Sequence, residues 1–243
     1  SELGEIDEEW IINQTLLIIM KAKKLRCLSE LCRLLLPDFL NDHSCEPEKL
    51  FKLVNEHEER DKYLLILAFL YSYGIGTTTN AAKAFEYYHK SAKLDDPIGM
   101  QETGFCFQKG IGITRNCVQA EFWYKKAAEA GMELAQYELA LIYFNRHDED
   151  QSVFWLEKSA YAGFNESAEF LAETYFERRD FRRSFYWYRL LYGDGKEFGR
   201  DGLANCYRDG LGTVKDLHKA IKCLLIPSPL DDSNILEEIF IEE

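Results

Sequence analysis

The chain has 243 residues, 47% hydrophobic and 14% aromatic, a composition that excludes disorder and leaves room for a large core or one extended array of repeats. A formal charge of −13 argues against nucleic acid and against an acidic membrane surface, since each needs a basic face. It favours a basic protein or peptide as partner, although the same charge also serves solubility alone.

At the N-terminus, residues 5–36 read as one or two apolar-rich helices ended by Pro37. Their most apolar stretch, residues 16–20, is flanked by Lys21, Lys23 and Lys24 and is far too short to span a bilayer. No signal sequence opens the chain, and because its first residue is Ser1 rather than Met, the expectation is an excerpt of a longer protein. Residues 47–59 form an amphipathic pattern beginning just after Glu46, with Leu50, Phe51, Leu53 and Val54 available to cover the helices that begin at residue 61. Residues 1–60 are therefore expected to be an N-terminal helical cap or docking segment.

Residues 61–229 are repetitive. The small residues Ala68, Gly104, Ala140, Ala172 and Ala204 recur at intervals of 36, 36, 32 and 32, each followed three residues later by an aromatic: Tyr71, Phe107, Tyr143, Tyr175 and Tyr207. A second series, Ala84, Ala120, Ser152, Ser184 and Ala220, keeps step with the first. Two linked series of this period mean pairs of helices, A and B, with small residues where they cross closely, stacked as a solenoid. The expected repeats are 61–97, 98–132, 133–164, 165–195 and 196–229. In the second, helix A covers 99–108 and helix B 117–130, joined through Gly110-Ile111-Gly112; Gly131, Gly163 and Gly195 stop helix B in successive repeats. Tyr87, Trp123, Trp155 and Trp187 fall in register on helix B and read as core between repeats rather than a ligand cage, with Cys223 in that place in the fifth. The third and fourth repeats replace the Gly-x-Gly turn with 145–150 and 177–181, and both turns are four residues tighter. Beyond Pro227 and Pro229, Ser233 is placed to cap a last helix over 234–241, so 230–243 is expected to be an acidic C-terminal capping helix.

Leu67-Ala68-x-x-Tyr71-x-x-Gly74-Ile75-Gly76, followed by Lys83-Ala84 and Tyr87-Tyr88, resembles the Sel-one-like repeat family. The second repeat carries the same pattern from Gly104 through Gly110-Ile111-Gly112 to Ala127-Ala128 and Gly131, and the fifth keeps it in Leu203-Ala204, Tyr207, Gly210-Leu211-Gly212 and Lys219-Ala220. The resemblance implies an all-α fold, a right-handed α/α superhelix related to tetratricopeptide repeats. It also implies adaptor or scaffold work with no catalytic residue to transfer, in complex assembly, quality control or signalling, sometimes beside a kinase domain. Secreted bacterial members with paired cysteines were once suggested to be enzymes, but the matching places here hold Ala92, Ala128 and Ala160.

No catalytic, metal-binding or cofactor motif stands out. His43, His57, His89, His147 and His218 show no metalloprotease spacing, and Gly74-Ile75-Gly76 lacks the lysine of a phosphate loop. Asp148-Glu149-Asp150 reads as a solvated turn rather than a calcium loop. Seven cysteines without a C-x-x-C pair speak against zinc and against a complete disulfide framework; Cys106 and Cys206 share one repeat position and read as small core residues. Reduced thiols place the chain in the cytosol, while the sequons at Asn13 and Asn165 leave a lumenal compartment open.

What remains is a binding surface. If the small residue of helix A faces helix B, positions one and four past it and three before it line the concave groove. They are Leu65, Phe69 and Ser72, with Tyr73 beside them; then Gln101, Phe105 and Gln108; Tyr137, Leu141 and Phe144; Glu169, Glu173 and Phe176; and Asp201, Asn205 and Arg208. The groove is expected to be apolar and aromatic at its N-terminal end and acidic at its C-terminal end. A protein segment with apolar anchors and Lys or Arg would match it. Two other readings stay open: that the N-terminal helices fold back over the apolar part, and that the array packs against another domain of its parent protein or a second copy.

Overall fold

The computed structural model describes residues 8–24, 36–43, 45–58 and 60–225, and every regular element among them is an α-helix. The first three are α1 (Glu8–Lys24), α2 (residues 36–42) and α3 (Pro47–Glu56). The helix pairs are α4 (Asp61–Tyr73) with α5 (Ala81–Lys93), α6 (Pro97–Lys109) with α7 (Cys117–Glu129), α8 (Glu133–Asn145) with α9 (Glu149–Tyr161), α10 (Asn165–Glu177) with α11 (Phe181–Gly193), and α12 (Glu197–Asp209) with α13 (Leu217–Leu225). Each helix from α4 to α12 spans 13 residues. The chain divides into two compact units, Ser1–Met132 and Glu133–Glu243. The expected C-terminal helix over 234–241, and with it the 230–243 cap, lies outside the described residues.

Each helix B begins at an Asn or Asp four residues before its small residue. Asn80, Asn116, Asp148, Asp180 and Asp216 accept hydrogen bonds from the backbone N–H of Lys83, of Val118 and Gln119, of Gln151, of Arg183 and of Lys219. Such a side chain satisfies a donor the helix itself leaves unpaired. The two turn types end helix A differently. In the long turn the first glycine takes the left-handed conformation, as at Gly110 with φ +74°, and its N–H reaches the carbonyl of Cys106. In the tight turns, three residues long, His147 and Arg179 take the left-handed place with φ +59° and +61°.

The second glycine of the long turn has a separate task. A Cβ on Gly112 would stand 2.0 Å from the carbonyl oxygen of Ala81, the first residue of the preceding helix B. The same contact recurs between Gly212 and Phe181, at 2.0 Å, and between Gly76 and Pro47, at 2.1 Å. Pro47 thus stands where Ala81 and Phe181 stand, and α3 holds the place of a helix B ahead of the first repeat.

Within the first unit, α3 packs on α4, α4 on α5, α5 on α6 and α6 on α7; α1 also packs against α4. Ile11, Ile12 and Ile19 of α1 and Leu36 and Leu40 of α2 share one buried cluster with Leu65 and Phe69 of α4. In the second unit α8 to α13 stack in order. There Ser167 donates to Ser159 at 2.7 Å and Ser159 to the carbonyl of Glu133 at 2.7 Å, a closed chain between helices that leaves neither hydroxyl unpaired.

Candidate functional site

The expectation that Leu65 and Phe69 point into an open groove is corrected: they are 6% and 0% exposed. Every residue of α4 from Tyr63 to Tyr71 is buried, because α1, α2 and α3 cover what a helix pair alone would leave open. Gln101 is buried as well, its amide donating to Glu102 at 3.3 Å. Tyr73 and Gln108 are half-buried and Phe105 is exposed. Gln108 accepts from the Tyr124 hydroxyl at 3.1 Å, which fixes it to helix B.

Among the described residues of the first unit, a cleft of about 470 Å³ opens between α4, α5 and α6. Tyr73, Tyr88 and Phe105 form aromatic walls, Ser72 and Glu102 supply polar edges, and Cys106 and Ile111 belong to the floor and rim. Ser72 donates to the carbonyl of Ala68 at 2.8 Å and lies 3.5 Å from the Tyr88 hydroxyl. Burial, and then the nearby Glu102 carboxylate, push the Tyr88 phenol well above its ordinary pKa, so it stays a neutral donor. The groove reasoning missed Tyr88, Glu102 and Ile111 because it considered one face of helix A alone. Tyr88, Tyr124 and Tyr188, each four past the helix-B small residue, were the available signal.

In the second unit the expected residues emerge progressively. Tyr137, Leu141 and Glu169 are half-buried; Phe144, Glu173, Phe176, Asp201, Asn205 and Arg208 are exposed. Phe144 meets Phe170 of α10 edge-on at 5.1 Å, and Phe176 meets Phe181 at 5.5 Å. The acidity of this face is narrower than the residue count suggests. Arg200 binds Asp201 at 2.9 Å and Glu197 at 2.7 Å, and Arg208 binds Asp209 at 2.6 Å. Glu169 and Glu173 on α10 have no cation paired with them among the described residues.

The buried thiols and the acidic turn of the third repeat have structural places. Cys106 and Cys206 are buried, and burial, followed by Asp209, pushes the Cys206 thiol up to about 11, far from a reactive thiolate. Asp148 caps α9, and Glu149 pairs with Arg178. Among the described residues no cluster of His, Cys, Asp and Glu has the grouping of a metal site, and no helix is long and apolar enough to cross a membrane.

Stacked helix pairs crossing at small residues, with their distinctive side chains on open faces, define an all-α repeat solenoid. A family model for the Sel1 repeat matches residues 64–96, 97–132, 134–164, 170–195 and 201–226, and the chain belongs to that family. Such repeats commonly serve as protein–protein interaction scaffolds. Among solved structures, the chain is similar to a Sel1 repeat protein from Oxalobacter formigenes, with a TM-score of 0.68 and 21% identity, covering 83% of this chain and 86% of that one. It is also similar to c5321, a protective antigen of uropathogenic Escherichia coli displaying an SLR fold, with a TM-score of 0.64 and 22% identity. That match covers 77% of this chain and 43% of the antigen, so the chain spans less than half of the antigen's length. At these identities the likeness bears on the fold. No curated protein matches the chain.

Proposed function

We propose that the chain is a non-catalytic adaptor that holds a segment of another protein carrying basic and apolar residues. The observation that carries this reading is the cleft between α4, α5 and α6. At about 470 Å³ it has room for one or two side chains, and its walls are the rings of Tyr73, Tyr88 and Phe105 with Glu102 at the edge. A Lys or Arg stem lying between such rings gains contact area and a cation–π attraction while its head meets a carboxylate. The charge of −13 favours the same partner chemistry, and in the second unit α10 carries Glu169, Glu173 and the exposed Phe176, while the exposed Phe144 meets its Phe170.

The test is selection of peptides from a random display library on the immobilised protein, followed by calorimetry of the enriched sequences. The expected peptides place Lys or Arg beside an apolar residue and lose roughly tenfold in affinity to Phe105→Ala and to Glu102→Gln, as loss of one well-packed contact would give. Enriched peptides without a basic residue, or peptides that bind both variants as tightly as wild type, overturn the proposal.

A further inference from the structure

The cleft between α4, α5 and α6 lies where one repeat position changes character. The residue four past the small residue of helix A is Ser72 in the first repeat and Gln108, Phe144, Phe176 and Arg208 in the others. All but Ser72 carry a flat head group: an amide, a phenyl ring or a guanidinium. In the second and fourth repeats that head reaches its own helix B, since Tyr124 donates to Gln108 at 3.1 Å and Phe176 meets Phe181 at 5.5 Å. In the fifth, Arg208 lines one cavity with Ala220 and Leu224, and its guanidinium donates twice to Asp209, at 2.9 and 2.6 Å. Ser72, Ala84 and Tyr88 are the equivalents of those three residues and line the first-unit cleft. Ser72 is short, and its hydroxyl turns back to the Ala68 carbonyl of its own helix at 2.8 Å. Ala81, in the place of Phe181, is short as well. The cleft therefore stands at the position where the other repeats carry a long, flat-headed side chain.

We infer that this cleft takes an arginine side chain of the partner segment in preference to lysine, an inference that rests on the adaptor reading and narrows it. Shape and charge both select this occupant. Arginine brings a flat head on a long stem, the side chain that the fifth repeat itself carries at the equivalent position in Arg208. A guanidinium is weakly hydrated and stacks on aromatic faces, so it can lie flat against the rings of Tyr73, Tyr88 and Phe105. The ammonium of lysine is compact and strongly hydrated, and it has no plane to lay against a ring. A guanidinium also gives two parallel hydrogen bonds to a single carboxylate, and Glu102 stands at the edge of the cleft. Lysine meets the same carboxylate only as a point charge.

Retention of three degenerate octapeptide pools on the immobilised full chain tests this. The pools are identical except for Arg, Lys or citrulline fixed at one central position; citrulline keeps the shape of arginine without its charge. Arg and Lys carry the same charge, so general attraction to a chain of −13 cancels between their pools. The Arg pool is expected to be retained roughly tenfold more strongly than the Lys pool, and the citrulline pool least. Ser72→Gln gives the first repeat the side chain of the second. It is expected to abolish the preference for Arg while the urea midpoint stays at or above that of wild type. Phe105→Ala, at an exposed wall of the cleft, is expected to lower retention of the Arg pool more than that of the Lys pool. A Lys pool retained as well as the Arg pool overturns the inference and leaves the adaptor reading standing. A preference for Arg that survives either variant removes the cleft as its seat. Basic pools retained no better than citrulline overturn the inference and the adaptor reading together.

Discussion

Phe51 stands edge-on to Tyr71, with ring centroids 5.3 Å apart and planes at 87°. The contact has the geometry of Phe85 on Phe107, at 5.2 Å and 81°, and of Phe185 on Tyr207, at 5.4 Å and 85°. In those two pairs a helix B meets the aromatic of the next helix A, so α3 enters the stack in the place of a helix B. Phe51→Leu is expected to destabilise the first unit by about 0.5–1.5 kcal/mol beyond the loss of buried area, the worth of an aromatic pair. A double-mutant cycle with Tyr71→Leu in urea denaturation measures it; a coupling near zero separates α3 from the stack.

Gly112 and Gly131 offer a matched comparison. Both have positive φ, +71° and +92°, but a Cβ on Gly112 meets the carbonyl oxygen of Ala81 at 2.0 Å, while one on Gly131 has nothing within 4 Å. Gly131→Ala is expected to cost about 1 kcal/mol, for backbone conformation alone. Gly112→Ala is expected to cost about 3 kcal/mol or more, because the loop must leave the first turn of α5. Chemical denaturation of the two variants side by side checks the difference.

The hydroxyl chain from Ser167 through Ser159 to the Glu133 carbonyl is wholly buried in its side chains. Ser159→Ala removes the acceptor of Ser167 and the donor to Glu133 together, and is expected to cost about 1–3 kcal/mol. Ser159→Ala with Ser167→Ala is expected to be less damaging than the two single costs added, since the orphaned hydroxyl is gone. Thermal denaturation of the three variants measures this.

His89 lies among aromatic rings, 5.5 Å from Phe85, 5.3 Å from Trp123 and 6.4 Å from Phe107, and its buried Nδ1 has no hydrogen-bond partner. Burial first, and then the Lys93 charge, hold its pKa below the ordinary 6.5. Above 6.5 the ring is neutral folded and unfolded. As pH falls through 6.5, the unfolded chain takes up a proton that the folded one refuses, and stability is lost until the folded value is passed. The urea midpoint is expected to drop from about pH 7 to about pH 5 more in wild type than in His89→Phe.

Charge reversal of α10 addresses the second unit. Glu169→Lys with Glu173→Lys is expected to weaken any Lys- or Arg-bearing peptide that engages this face by roughly tenfold and to flatten its salt dependence. Unchanged affinity and salt slope would remove α10 from the binding surface. Both side chains lack an ion-pair partner among the described residues, so little stability is expected to change.

The repeat itself was legible because it is local. Spacing placed Ala68, Gly104, Ala140, Ala172 and Ala204 at helix crossings, and all five are buried. The expected helices 99–108 and 117–130 of the second repeat are observed as Pro97–Lys109 and Cys117–Glu129, since caps and turn glycines act within a few residues of themselves. The tight turns were readable from length alone, although the left-handed residues that replace glycine, His147 and Arg179, were not. The Asn or Asp that caps every helix B is an equally local feature.

Which faces stay open was not a local question. Leu65 and Phe69 satisfy the same positional rule as Phe105 and Phe144, yet the first pair is buried and the second exposed, because Ile11, Ile19 and Leu40 join the cluster around α4 from tens of residues away in sequence. The amino-acid sequence determined the period, the helix ends and the family, which depend on interactions within one or two turns. Only tertiary packing decided which side chains meet solvent, because burial depends on what other segments of the chain are brought over them.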